Sequence, residues 1–415
     1  MTRNESCSIL TNIVFLFTLG IILLSLVSII FPALIISLTS VHESELDPFE
    51  MGPLTFPLLI SNFVLLGCGL AYYKKWLPST VSKPIEYFLN FEISRRTTFL
   101  VAIVLLSIYI GLTVGELSFN EEEQWPDYEV LKEGLKIWPS GESENVYLQE
   151  QNDRYVRMFL LSASQNILQN IKILPFVASI LLVIVTYFIT LQISRKRFAG
   201  IISMVILLQS YTFLKYDTIA VYENFWVLFY ILSLYTIYKK WYMSPISYML
   251  SFFTKAFTAF FFPLSLFFIY RANITKRKKI IIAISYGVIL GVSAVILLVD
   301  DAVYGDVLHV DFTEFWIGFT VWSYQMRFDF LIILSILPLA VGLFFASRRG
   351  IKEADAVLVL ILGSLLTGPV LASLTDFYYI LPYRYVPLIV FFSMGAGIFL
   401  SRNASSQLST QSKTQ

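Results

Sequence analysis

Charge is scarce in this sequence. Acidic and basic residues number 29 and 30 among 415, together 14%, while hydrophobic residues make up 57%. Soluble domains are about 45–50% apolar, so these charges are too few to solvate a globular surface of this size. A net charge of +1 points to no nucleic-acid partner. Cysteine is nearly absent. Cys7 lies in the short amino-terminal tail and Cys68 in an apolar run; two such residues exclude a disulfide framework and are expected to be free. Histidine is as rare. His309 has Asp306 and Asp311 nearby, but neither it nor His42 belongs to a sustained ligand pattern, so no metal site is expected. A glycine-rich phosphate loop, a Ser/His/Asp arrangement and a CxxC motif are all missing.

What is abundant is long apolar sequence. Backbone polar groups in lipid are satisfied only in helices or closed barrels, and unbroken apolar runs are not the alternating strands of a barrel. The expected fold class is therefore all-α, a polytopic transmembrane helical bundle. A span needs about 20 apolar residues, which gives candidates at 9–38, 53–73, 97–115, 172–193, 199–214, 219–238, 280–299, 329–346, 355–373 and 384–400. The first is too long for a signal-peptide core and reads as a retained span.

Lysine and arginine set the orientation. Loops 74–96, 194–198, 239–240, 271–279 and 348–352 are basic and read as cytoplasmic, whereas 41–52, 116–171 and 300–328 are acid-rich and read as outer. Segment 244–270 lies between two basic loops. A tight hairpin of two short helices, its tip near Phe253-Thr254-Lys255-Ala256, keeps the alternation, giving about twelve spans with both termini inside. The sequons at Asn4, Asn273 and Asn403 then fall inside. Residues 1–96 read as accessory spans, 97–400 as a core that includes the outer loop 116–171, and 401–415 as a polar, disordered cytoplasmic tail. No internal repeat stands out.

The outer loop 116–171 carries eleven acids, including Glu116, Glu121, Glu122, Glu123, Asp127 and Glu129, against four bases, Lys132, Lys136, Arg154 and Arg157. Pro126 suits a helix start, with Asp127 and Glu129 in its first turn. Tyr128, Leu131, Leu135 and Trp138 share one face, so a helix over about 127–138 is expected to be amphipathic and interfacial; a second is expected over 151–170. The acids are either a solvated loop or a carboxylate site. The next outer cluster is Tyr216-Asp217 with Tyr222-Glu223. Asp217 is read as a helix cap or a site residue. Glu223, entering a span, needs an interior partner, in the plainest case a tyrosine hydroxyl. Lys255 and Arg384 run against the positive-inside rule. Each is a snorkelling anchor or a cation for a lipid phosphate, and Arg327 is a third such cation.

These pieces, in this order, resemble the GT-C superfamily of membrane glycosyltransferases, including protein mannosyltransferases and aminoarabinose transferases. The likeness covers roughly 97–400. It rests on Asn120-Glu121-Glu122-Glu123 with Gly134 downstream, Tyr216-Asp217, Thr254-Lys255-Ala256 with Pro263, and Pro382-Tyr383-Arg384-Tyr385-Val386-Pro387. The resemblance implies transfer of a sugar from a polyprenyl-phosphate donor to a lipid, glycan or protein acceptor on the outer face, in an integral cell-membrane enzyme. It implies Glu121, Glu122 or Asp127 as the base, Lys255 and Arg384 on the donor phosphate, and Trp125, Tyr128, Tyr216, Asp217, Tyr222 and Glu223 around the substrate. No cofactor is demanded, and a divalent cation on the acids stays open. Asn120 stands where the family has an aspartate, two spans precede the core, and there is no large carboxy-terminal outer domain. The rival expectation is a non-catalytic carrier of lipid-linked sugars or a membrane scaffold.

Overall fold

The computed structural model describes residues 3–37, 47–119, 125, 127–139, 154–299, 311–374 and 382–400. Within them the regular structure is entirely helical. In chain order the α-helices are α1 Arg3–Ile30, α2 Leu34–Ser37, α3 Thr55–Tyr73, α4 Ser79–Asn90, α5 Arg95–Thr113, α6 Asp127–Ile137, α7 Tyr155–Leu168, α8 Ile173–Ser194 and α9 Arg197–Leu208. They continue with α10 Tyr211–Lys215, α11 Phe225–Lys239, α12 Met243–Thr254, α13 Phe262–Arg271, α14 Lys276–Val299, α15 Phe312–Gln325, α16 Phe330–Arg348, α17 Glu353–Leu374 and α18 Val386–Phe399.

Seven helical stretches are long and apolar enough to cross a membrane: Ile9–Ile30, Thr55–Tyr73, Arg95–Ser118, Ile173–Ser194, Lys276–Val295, Phe330–Arg348 and Glu353–Leu374. The protein is an integral membrane protein. The stretches Arg197–Leu208, Phe225–Lys239 and Ala256–Arg271 are apolar but shorter.

Several expected boundaries move. The first span stops at Ile30, and the chain turns over Phe31–Ala33 before α2, because Pro32 cannot donate within a continuing helix. The expected span 199–214 breaks at Gln209 and Ser210, and the expected span 219–238 begins only at Phe225. Residues 312–325, expected within an outer loop, form α15. Glu314, Thr313, Thr320 and Ser323 dilute its apolar signal, and its fourteen residues fall short of a span. Asp311 caps it, its carboxylate accepting from the Thr313 amide at 2.7 Å.

The helices divide into two compact units. One comprises Met1–Thr98, Thr190–Thr212 and Val307–Gln415; the other comprises Phe99–Ile189 and Phe213–Asp306. In the first, α1 packs on α16 and α17, α3 on α16, α9 on α18 and α15 on α17. Lipid gives no hydrophobic drive between helices, so close packing and internal hydrogen bonds hold them. Thr11 Oγ1 donates to Asp355 Oδ2 at 2.8 Å, and Asn62 Nδ2 donates to the Ile333 carbonyl at 2.8 Å. The indole of Trp322 donates to the Ser364 carbonyl at 2.9 Å, and the Tyr385 hydroxyl donates to the Trp322 carbonyl.

Glycine sets the closest approaches. A Cβ on Gly318 would lie 2.4 Å from the Ala372 Cβ, and one on Gly397 would lie 2.5 Å from the Ala199 carbonyl oxygen. In the second unit α11 packs on α12. Interior hydroxyls pair there: Tyr230 with Ser265 at 3.0 Å, Ser244 with Tyr286 at 2.9 Å, and Ser251 with the Trp226 carbonyl at 2.8 Å.

Gly318→Val and Gly397→Val should each destabilise the first unit by about 1–3 kcal/mol, the usual scale of overpacking. Thermal unfolding in detergent reads this as a lowered midpoint. Midpoints equal to wild type in both variants would show that these helices do not approach as closely as described.

Candidate functional site

The segment 216–224, between α10 and α11, has no helical structure, yet every one of its residues is buried. A buried stretch outside a helix must satisfy its polar groups from elsewhere, and here side chains of α7, α8 and their neighbours supply the partners. Arg157 of α7 is the main one. Its Nε meets Glu223 Oε2 at 2.9 Å, with both side chains at most 4% exposed, and its Nη2 donates to the Val221 carbonyl at 2.9 Å. Ser179 of α8 ties the two ends together. Its Oγ donates to the Asp217 carbonyl at 2.8 Å and accepts from Asn224 Nδ2 at 3.0 Å. Thr218 Oγ1 donates to Glu116 Oε2 at 3.3 Å, and the Tyr222 hydroxyl donates to Asp127 Oδ2 at 3.0 Å.

The start of the acidic segment is fixed in the same way. Buried Lys172 donates from Nζ to the carbonyls of Glu116 at 3.0 Å and Phe119 at 3.1 Å. Asn170 Nδ2 donates to the Leu117 carbonyl at 3.0 Å. Against this frame three rings meet. Trp125 lies edge to face with Tyr222 at 4.9 Å and 5.6 Å from Tyr216; Tyr216 and Tyr222 are 5.9 Å apart. The Lys215 ammonium stands 6.0 Å from both the Trp125 and Tyr216 rings, within cation–π reach.

Asp217, next to Tyr216 in the chain, is wholly buried. Neither carboxylate oxygen makes a hydrogen bond of good geometry among the described residues, and the same holds for the nearby Tyr109 hydroxyl. Burial pushes the Asp217 carboxyl up to about 7; the approach of the Tyr109 hydroxyl and of local backbone amides moderates the rise, while the Glu116 charge adds to it. A carboxyl with that value changes charge near neutral pH.

The sequence-expected site residues fare differently. Trp125, Asp127, Tyr216, Asp217, Tyr222 and Glu223 come together. Asp217 is not a helix cap: α11 begins after Asn224, which makes no side-chain cap bond. Glu223 finds its partner in Arg157 rather than in a tyrosine. Tyr128 is on α6, half-buried, with the Lys132 ammonium 5.6 Å from its ring. Lys255 is half-buried between α12 and the 3-10 segment Ala256–Phe261. Arg384 belongs to the other unit, in the 3-10 turn Pro382–Tyr385, with Nε 3.3 Å from the Tyr383 hydroxyl. Glu121 and Glu122 lie outside the described residues. Among the described residues no group of three or more His, Cys, Asp or Glu side chains is placed to hold a metal.

Two residues that hold the cluster, Arg157 and Lys172, and one beside Asp217, Tyr109, were not singled out in the sequence. The first two carried a signal, a lone cation set in an apolar helix and another at the mouth of an apolar run. Tyr109 carried none.

A second polar cluster, also unforeseen, lies in the other unit. Asp329 accepts from Ser210 Oγ at 2.6 Å and from Thr212 Oγ1, at the interruption between α9 and α10. Beside it is a cavity of about 100 Å³ lined by Gln209, Tyr211, Phe328, Ile389 and Phe392 among others.

Comparison with protein-family models, with curated proteins and with solved structures found no match to this chain.

Arg157→Met leaves Glu223 buried and uncompensated, and should cost about 3–5 kcal/mol of stability. Arg157→Met/Glu223→Leu should regain much of that loss; a double variant no better than the single would show that the charge pair is not what stabilises the segment. The sign for Asp217 follows from its raised pKa. Between the usual aspartate value of 3.8 and about 7 the folded state holds a proton that the unfolded state has lost, so Asp217's stabilising contribution falls as pH rises through this window and levels off above it. The melting midpoint of Asp217→Asn should therefore gain on wild type from about pH 4 to pH 7. Parallel pH profiles would remove the perturbed carboxyl.

Proposed function

We propose that this protein is a membrane glycosyltransferase that moves a sugar from a polyprenyl phosphate to an acceptor on the outer face. The observation that carries the reading is the buried, side-chain-pinned segment 216–224, which gathers carboxylates and an aromatic wall into one preorganised cluster. Flat rings suit the apolar face of a sugar, and their polar tips suit its hydroxyls. Fixed geometry is what an acyl- or glycosyl-transferring site needs to hold reactants in line. On this reading the protein has twelve crossings or partial crossings, the seven long helices together with five shorter ones, α9, α11, α12, α13 and α18. Its termini are inside, and α6 and α7 lie along the outer interface.

The chemistry is written from the acceptor. A carboxylate, from Glu121, Glu122 or Asp127, takes the proton of the acceptor hydroxyl as the oxygen forms its bond to the anomeric carbon. The bond from that carbon to the phosphate oxygen breaks, and the phosphate leaves with the electron pair. Lys255, or Arg384, offsets the charge gathering on the departing phosphate, which counts toward rate because it grows in the transition state. Asp127 is also the acceptor of the Tyr222 hydroxyl, which suits a group that orients the wall. Asp217, whose carboxyl burial raises to about 7, suits a proton store in the same segment.

A second reading, a carrier of lipid-linked sugars, is favoured by the Asp329 cluster. A carboxylate bound by hydroxyls at a helix interruption beside a cavity is an arrangement that carriers use.

The deciding experiment incubates purified protein with labelled polyprenyl-phosphate sugars and a crude membrane acceptor fraction, and follows release of free polyprenyl phosphate. Glu121→Gln/Glu122→Gln should lower release by about 10²–10⁴-fold, and Lys255→Met should lower it while leaving the fold intact. Full release in the glutamate variant would end the assignment of the base. Binding without release, abolished by Asp329→Asn, would favour the carrier.

A further inference from the structure

α4 joins α3 and α5, both long and apolar enough to cross a membrane, so it is tethered at the membrane surface from both ends. Helical spacing puts Val81, Pro84, Ile85, Phe88 and Leu89 on one side and Ser79, Lys83, Glu86 and Asn90 on the other. Part of this apolar side is open. No residue of α4 is buried, Val81 and Phe88 are each 46% exposed, and Trp76 just ahead of the helix is 71% exposed.

Basic residues lie on the polar side of the helix and in the chain just before and after it. Lys74, Lys75, Lys83, Arg95 and Arg96 are all exposed. The short basic loop between α8 and α9 docks on the same segment. Lys196 Nζ donates to the Leu89 carbonyl at 2.9 Å, and Phe198 meets Phe88 and Phe91 edge to face, each at 5.1 Å. Arg197 Nη1 lies 3.6 Å from Glu92 Oε1, and the Arg197 amide donates to that same oxygen at 3.0 Å. Glu86 and Glu92 are the only acids of 74–96, and Glu92 is thus engaged by Arg197, which leaves this stretch strongly positive.

We propose that α4 lies in the plane of the membrane surface, with Val81, Pro84 and Ile85 among the acyl chains, and that the basic residues on and beside it bind the phosphate head groups of anionic phospholipids. An amphipathic helix with cations along its polar flank gains from both contacts. The occupant is the bilayer itself. This inference is independent of the transferase reading.

The test uses the full chain in nanodiscs of mixed phosphatidylcholine and phosphatidylglycerol. Native mass spectrometry of the released protein counts the retained lipids. Phosphatidylglycerol should be enriched over its bulk share, and the enrichment should fall as salt is raised. Lys83→Gln and Lys74→Gln/Lys75→Gln should weaken it by roughly fivefold per cation removed, while Glu86→Gln, which removes an acid from the same helix, should raise it. A second readout places a fluorophore at position 81 through Val81→Cys, with Cys7→Ser and Cys68→Ser to make the label unique. Lipids with brominated chains should quench it and aqueous iodide should not, a result that needs no charge variant to fold. The proposal is overturned by an absence of enrichment in wild type, by an equal loss in Glu86→Gln, or by quenching from water alone, which would point instead to a soluble protein partner on this face.

Discussion

The ion pair between Arg157 and Glu223 is the constraint on which the candidate site depends. Each charge is buried, and each is costly alone. Arg157 discharges two obligations at once, the Glu223 carboxylate and the Val221 carbonyl. By doing so it permits nine residues to run through a packed interior without helical hydrogen bonds. The consequences spread outward from there. Ser179 closes the ends of the segment, Thr218 reaches Glu116, and Tyr222 reaches Asp127. The aromatic wall and the perturbed Asp217 are where they are because the segment that bears them has one conformation.

The other unit solves a related problem by different means. Its long membrane-crossing helices are apolar around most of their circumference, so hydrophobic patterning does little to choose which faces meet. Small residues and isolated polar side chains choose instead. Gly318 admits Ala372, Gly397 admits the Ala199 carbonyl, and Thr11, Asn62 and Trp322 each spend a donor on a neighbouring helix. Asp329 belongs to the same strategy. It gathers Ser210 and Thr212 at the interruption after α9.

Much of the fold was legible because lipid forces a simple code. A run such as Ile173–Ser194 or Glu353–Leu374 has no reading other than a helix, and loop charge marked the ends. The code fails for short elements. α15 is a packed helix that looks like loop sequence, because Thr313, Glu314, Thr320 and Ser323 interrupt its apolar residues. The opposite error occurs at 219–224, apolar enough to join a span yet held out of helix by contacts from Arg157 and Ser179, which no local pattern reveals. The site was legible as a set of residues, since Asp217, Tyr222 and Glu223 stand out against apolar surroundings. It was not legible as an arrangement: which carboxylate pairs with which cation depends on tertiary contacts more than sixty residues apart in sequence.

The most direct measurement is photo-crosslinking of the purified chain with a polyprenyl-phosphate sugar carrying a photoreactive group on the sugar, followed by peptide mapping. Labelling of the peptides that contain Trp125 to Tyr128 and Tyr216 to Asn224, competed away by unlabelled donor, is the predicted result. Labelling confined to peptides around Ser210 and Asp329, or no competed labelling at all, would contradict the claim that the pinned segment forms the sugar-binding site.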